Sequence, residues 1–83
     1  MTQNIILKLF GFDRKTERLT VEFVVPKVLE SEILKLAQQN VPLKALIGEI
    51  PLTHAVAKTI AKKMHLQINT QTTNFFLGAV LHK

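Results

Sequence analysis

The stretch NIILKLFGFDRKTERLTVEFVV, residues 4–25, sets the architecture. Its first part, Asn4–Phe12, is rich in Ile, Leu and Phe and reads as a strand. Its last part, Leu19–Val25, alternates: Leu19, Val21, Phe23 and Val25 are predicted for one face, and Thr20, Glu22 and Val24 for the other. Between them lies Asp13-Arg14-Lys15-Thr16-Glu17-Arg18. An Asp that accepts backbone N–H bonds, followed by polar residues, suits a tight loop built on a type I turn. Such a loop wants a left-handed residue, usually Gly. Glu17 or Arg18 stands there instead, at a modest conformational cost. The stretch is a β-hairpin.

Outward from the hairpin, Pro26 has no N–H to give a ladder and ends the second strand. Val28–Gln39 then places Leu29, Ile33, Leu36 and Ala37 at helical spacing. Glu30 and Glu32 fall early in that helix and Lys35 late, in agreement with its dipole. Asn40-Val41-Pro42 reads as the stop, and Leu43–Ile47 as one short helical turn ended by Gly48. Ile50-Pro51-Leu52-Thr53 is an extended lead into a second helix with Thr53 as its N-cap. Val56, Ile60 and Met64 recur every four residues beside Ala57 and Ala61, so that face is buried. Lys58, Lys62 and Lys63 occupy the far side and the last turn.

A polar run, Asn69–Asn74, precedes the final strand Phe75–Leu81, and Leu66–Asn69 is a candidate for one further short strand. The predicted order is ββααβ. The expected fold class is α+β, with residues 1–83 forming a single domain and an antiparallel sheet packed by helices. Both faces of that sheet are apolar. Ile5, Leu7 and Leu9 share one face, and Ile6, Phe10 and Phe12 share the other with Lys8. Phe76 and Val80 likewise alternate against Phe75, Leu77, Ala79 and Leu81. Either the helices cover part of each face, or one face is an exposed patch that docks a partner.

Composition narrows the function classes. The chain has 83 residues, is 47% hydrophobic and contains no cysteine. Disulfide staples and Cys-ligated zinc are therefore excluded, and packing must supply the stability. No apolar run approaches the roughly 18 residues of a membrane span. The N-terminal MTQNIILK has neither a basic nor a long apolar segment, so no signal peptide is read and the expected location is cytoplasmic.

Catalytic constellations are also missing. Ser31 is the only serine and stands between Glu30 and Glu32 with no nearby His to act as its base. Gly11, Gly48 and Gly78 are too scattered to cradle a phosphate, and read as a bulge, a helix end and a close-packed strand position. His54 and His65 would lie about three helical turns apart, too far to share a metal. No catalytic residue, metal ligand or cofactor is assigned, and the chain is read as a non-enzyme.

What remains is charge. The net charge is +5. The surplus is local: residues 42–83 hold Lys44, Lys58, Lys62, Lys63 and Lys83 against Glu49 alone. Lys58 and Lys62, one turn apart, repel each other, and an anionic partner would relieve this. Nucleic-acid surfaces interleave Lys with Arg or aromatics. The helix carries neither, and Arg14 and Arg18 are confined to the hairpin.

Three motifs carry a resemblance: the hairpin Phe12–Leu19, the segment Glu49-Ile50-Pro51-Leu52-Thr53 before a helix, and the closing Asn74-Phe75-Phe76-Leu77. The pattern is similar to a family of small bacterial domains. In these, a strand ending in Phe/Tyr-Asp leads through a Lys/Thr-rich turn to a Leu-led strand, and an aromatic-Phe-Leu strand closes the chain. Such domains also look like the immunity proteins that accompany polymorphic toxins, including those of contact-dependent growth inhibition. The resemblance implies an antitoxin that binds a cognate toxin domain, expected to be a nuclease, and neutralises it by stoichiometric occlusion in a 1:1 heterocomplex. Many nuclease inhibitors are acidic and this chain is basic, which argues against phosphate mimicry and for a toxin with an acidic docking surface.

Charge placement, not the resemblance, nominates the contact residues. These are Lys58, Lys62 and Lys63, with Lys44 as a neighbour and Arg14 and Lys15 at the hairpin tip. The alternative reading is a small basic nucleic-acid-binding module.

Overall fold

The structure is a computed structural model and describes residues 4–37 and 48–82. The chain runs through β1 (Asn4–Asp13), β2 (Leu19–Val24), a 3-10 turn (Lys27–Leu29), α1 (Glu30–Leu36), β3 (Gly48–Pro51), α2 (His54–Lys63) and β4 (Thr73–His82). The four strands form one antiparallel sheet in the order β2-β1-β4-β3. The fold class is α+β, as the alternating strands and the spaced apolar residues of α2 predict.

The hairpin forms where expected. Asp13 and Arg18 close it through an N–H to carbonyl bond of 2.9 Å, and the Glu17 N–H donates to the Asp13 carbonyl at 2.8 Å. The left-handed position belongs to Glu17, with φ of 61°. The facing of β2 departs from simple alternation. Gly11 pairs with Val21 but Phe12 pairs with Leu19, so Thr20 is an extra residue in a bulge. The slip carries Leu19 away from the core face, and it is 48% exposed.

The core lies on one side of the sheet. Leu7 and Leu9 of β1, Val25 after β2, and Phe75 and Leu77 of β4 meet Ile33 of α1 and Ala57 and Ile60 of α2 in a single buried cluster. Each such Leu, Ile or Phe contributes about 1.5–3 kcal/mol by leaving water. The half-buried Leu29, Leu34, Val56 and Met64 pack against the same cluster. Both described helices therefore lie on the Leu7/Leu9 face and do not divide themselves between the two.

The opposite face holds Ile6, Lys8, Phe10 and Phe12 of β1 beside Phe76 and Val80 of β4 and Val24 of β2. Across it Lys8 Nζ pairs with Glu22 at 3.0 Å, and the Phe12 and Phe76 rings meet edge to face with centroids 5.4 Å apart. Val24 on this face is 58% exposed.

Several expectations need correction. Gly48 opens a fourth strand, and β3 takes in Pro51, so the order among the described residues is ββαβαβ. Pro51 is tolerated because β3 is an edge strand, where a missing donor leaves nothing unpaired. The segment Leu66–Asn69 has no strand structure. The first helix starts later than Val28, because Lys27–Leu29 is a tighter 3-10 turn that leaves Val28 exposed. Its predicted end at Gln39, the Asn40 stop and the Leu43–Ile47 turn lie outside the described residues.

Candidate functional site

The second helix is built for its position at both ends. Thr53 caps it: its Oγ1 accepts from the Val56 N–H at 3.2 Å. At the other end the Leu66 N–H reaches back to the Ala61 carbonyl at 2.8 Å and the His65 N–H to the Lys62 carbonyl at 3.2 Å. His65, with φ of 57°, is the left-handed residue between them. This is a Schellman closure, and it folds Leu66 back beside Ala61.

The closure shapes the surface next to the lysines. Lys58, Ala61, Lys62, Leu66, Gln67 and Ile68 line an open depression of about 480 Å³. Lys58 and Lys62 are exposed, and neither side chain makes a hydrogen bond or ion pair with another described residue. Their partner in the sequence reading, Lys63, is engaged. Its ammonium bonds Glu32 of α1 and ties the two helices together. The nominated triad therefore splits into two open cations and one structural one.

The hairpin tip splits in the same way. The Arg14 N–H donates to the Thr72 carbonyl at 3.0 Å. Its guanidinium donates to the Thr70 carbonyl at 2.6 Å and to His54 Nε2, the first residue of α2. Arg14 thus fastens the hairpin to α2 and to the polar turn before β4. Lys15 stays exposed at the tip. Beneath it, Asp13 Oδ1 accepts the N–H groups of Lys15 (2.8 Å) and Thr16 (2.9 Å). The Thr16 N–H, then that of Lys15, holds the Asp13 carboxyl below its ordinary range by stabilising the anion. Lys44 lies outside the described residues.

His54 was not nominated from the sequence, yet it connects the two basic regions. His54, Lys58 and Lys62 recur every fourth residue and share one side of α2, with Arg14 at the His54 end. The four-residue spacing was visible in the sequence; the hairpin's arrival at that end was not.

A second depression, about 270 Å³, lies at the end of the other sheet face and is lined by Phe12, Asp13, Glu17, Glu49, Asn74 and Phe76. Asp13, Glu17 and Glu49 thus set three carboxylates around this depression, beside the Phe12–Phe76 pair. Among the described residues, no group of three or more His, Asp or Glu side chains is placed to hold a metal ion. None of the described helices is long and apolar enough to cross a membrane.

No family model matches the chain, and neither a curated protein nor a solved structure does.

Proposed function

We propose that the protein acts by binding, as an immunity protein that neutralises a cognate bacterial toxin domain by covering its active surface in a 1:1 complex. The observation that carries this reading is the sorting of cations. Arg14, Lys8 and Lys63 are held in internal contacts, whereas the side chains of Lys58 and Lys62, one helical turn apart, are exposed with no hydrogen-bond or ion-pair partner among the described residues. Two like charges one helical turn apart disfavour each other, and an acidic docking surface removes that penalty. Charge of this kind acts chiefly on encounter, so the toxin is captured fast and then held by the packed interface.

The test is genetic, then kinetic. The reading frame beside this gene is expected to encode a large surface or secreted protein ending in a toxin domain. That domain should bind the protein stoichiometrically and lose activity. The Lys58→Gln/Lys62→Gln variant should associate about tenfold more slowly with unchanged thermal unfolding. Unchanged association kinetics would refute the lysine assignment.

The runner-up, a nucleic-acid-binding module, draws on the same lysines with Arg14 at their end. It predicts retention on mixed DNA and RNA that falls steeply between low and physiological salt. Tight, salt-sensitive retention would displace the immunity reading.

A further inference from the structure

The lysines of α2 do not stand on a polar surface. The Schellman closure brings Leu66 against Ala61, and Ile68 continues the apolar strip, so Lys58 and Lys62 border a floor of aliphatic carbon. Leu66 and Ile68 are half-buried: part of each packs on the core, and both also line the open depression. A phosphate backbone would satisfy the two ammonium groups and leave that floor in water. The floor has no aromatic ring on which a base could stack, and stacking is what single-stranded nucleic acid takes from such grooves. The surface asks for carboxylates and an apolar side chain together, a pairing that an acidic protein segment offers.

We infer that the α2 shelf receives an acidic segment of a protein partner that sets one large apolar side chain on Ala61, Leu66 and Ile68, between carboxylates paired to Lys58 and Lys62. This inference rests on the binding reading above and specifies the partner's chemistry. Lys58 and Lys62 are about 6 Å apart along the helix axis. That spacing matches two carboxylates one turn apart on a partner helix, or two residues apart on a partner strand. The apolar anchor supplies the desolvated centre and the ion pairs form the rim, the division of labour usual in protein interfaces. Gln67 at the edge offers an amide to the partner's backbone.

The probe is a synthetic helical peptide with two glutamates one turn apart beside a single phenylalanine, titrated into the full chain and followed by backbone amide NMR. Shifts are expected at Lys58, Ala61, Lys62 and Leu66–Ile68 and not across the sheet. Replacing the peptide's phenylalanine with alanine should weaken binding about tenfold, as should Lys58→Gln/Lys62→Gln in the protein. The peptide arm needs no change in the protein, so it stands even if a shelf variant unfolds.

Equal binding of the alanine peptide overturns the inference. So does an absence of shifts at roughly millimolar peptide, and so does an oligothymidylate that moves the same amides more tightly. A second copy of the chain seated on the shelf, seen as self-association that the peptide cannot displace, overturns it as well. The two proposals fail separately. A 1:1 toxin complex that leaves the shelf amides unmoved removes this inference alone, whereas shelf binding of the peptide without any toxin partner removes the immunity reading alone.

Discussion

At the scale of single residues, two of the described non-glycine residues, Glu17 and His65, lie in the left-handed region that glycine occupies freely. Glu17→Gly should raise stability by roughly 0.5 kcal/mol, because relief of about 1–2 kcal/mol of left-handed strain exceeds the unfolded-state entropy that Gly adds. A shift of the urea midpoint to higher concentration checks it. Gly11 is the opposite case. A Cβ there would stand 2.5 Å from Val21 Cγ2 and 2.9 Å from Phe75 Cε1, so Gly11→Ala should cost about 1–3 kcal/mol by overpacking, read in the same experiment.

Asp13 governs the acid side of the stability profile. Its folded carboxyl is held below its ordinary value, so its contribution is fully present above the unfolded value of about pH 4. That contribution is lost as the pH falls through the lower folded value. Asp13→Asn should therefore be less stable at neutral pH and show a flatter loss of stability on acidification, measured as urea midpoints across the acid range. The local features were legible in part: the Asp13 turn and the Thr53 cap follow from neighbouring residues, the left-handed hairpin position was narrowed to Glu17 or Arg18, and the left-handed His65 was not read.

Elements show where local reading stops. The hairpin strands and α2 announce themselves because alternation and four-residue spacing persist for several repeats. β3 does not. It is Gly48–Pro51, four residues including a proline, and it is a strand only because β4 offers it an edge to pair with. The Thr20 bulge is equally non-local: it follows from the joint register of β1 and β2, and Leu19 is outside because of it. α1 is short and lacks a side-chain cap, whereas α2 has Thr53, and the difference should be measurable. Thr53→Ala should cost about 1 kcal/mol and speed amide exchange in the first turn of α2, without changing exchange in α1.

Across the whole molecule, specific side-chain contacts add to the long-range pairing of the sheet. Arg14 bridges hairpin, helix and polar turn, a role its position in a basic hexapeptide did not reveal. Arg14→Ala should therefore destabilise the fold by about 1 kcal/mol, a moderate value because the side chain is exposed. It should also increase exchange at the hairpin tip. Lys63→Gln should change stability by less than about 1 kcal/mol, since Glu32–Lys63 is a solvent-facing pair. For the candidate surface, the sequence yielded the lysines of α2 but could not sort the open from the engaged, because that depends on which strand and turn meet which helix end.

The placement of β4 has a consequence for how the molecule is made. Ten residues late in the chain form the strand that joins β1 on one side to β3 on the other. During synthesis the hairpin emerges early, with the inner edge of β1 and its Leu7 and Leu9 side chains uncovered. It must wait for nearly the whole chain before that edge is paired. Sequence-distant pairing of this kind slows folding and leaves an open, apolar strand available to other nascent chains. Ribosome-bound chains stopped before Thr73 should therefore associate with one another or with a holding chaperone, and chains extended beyond His82 and clear of the exit tunnel should not.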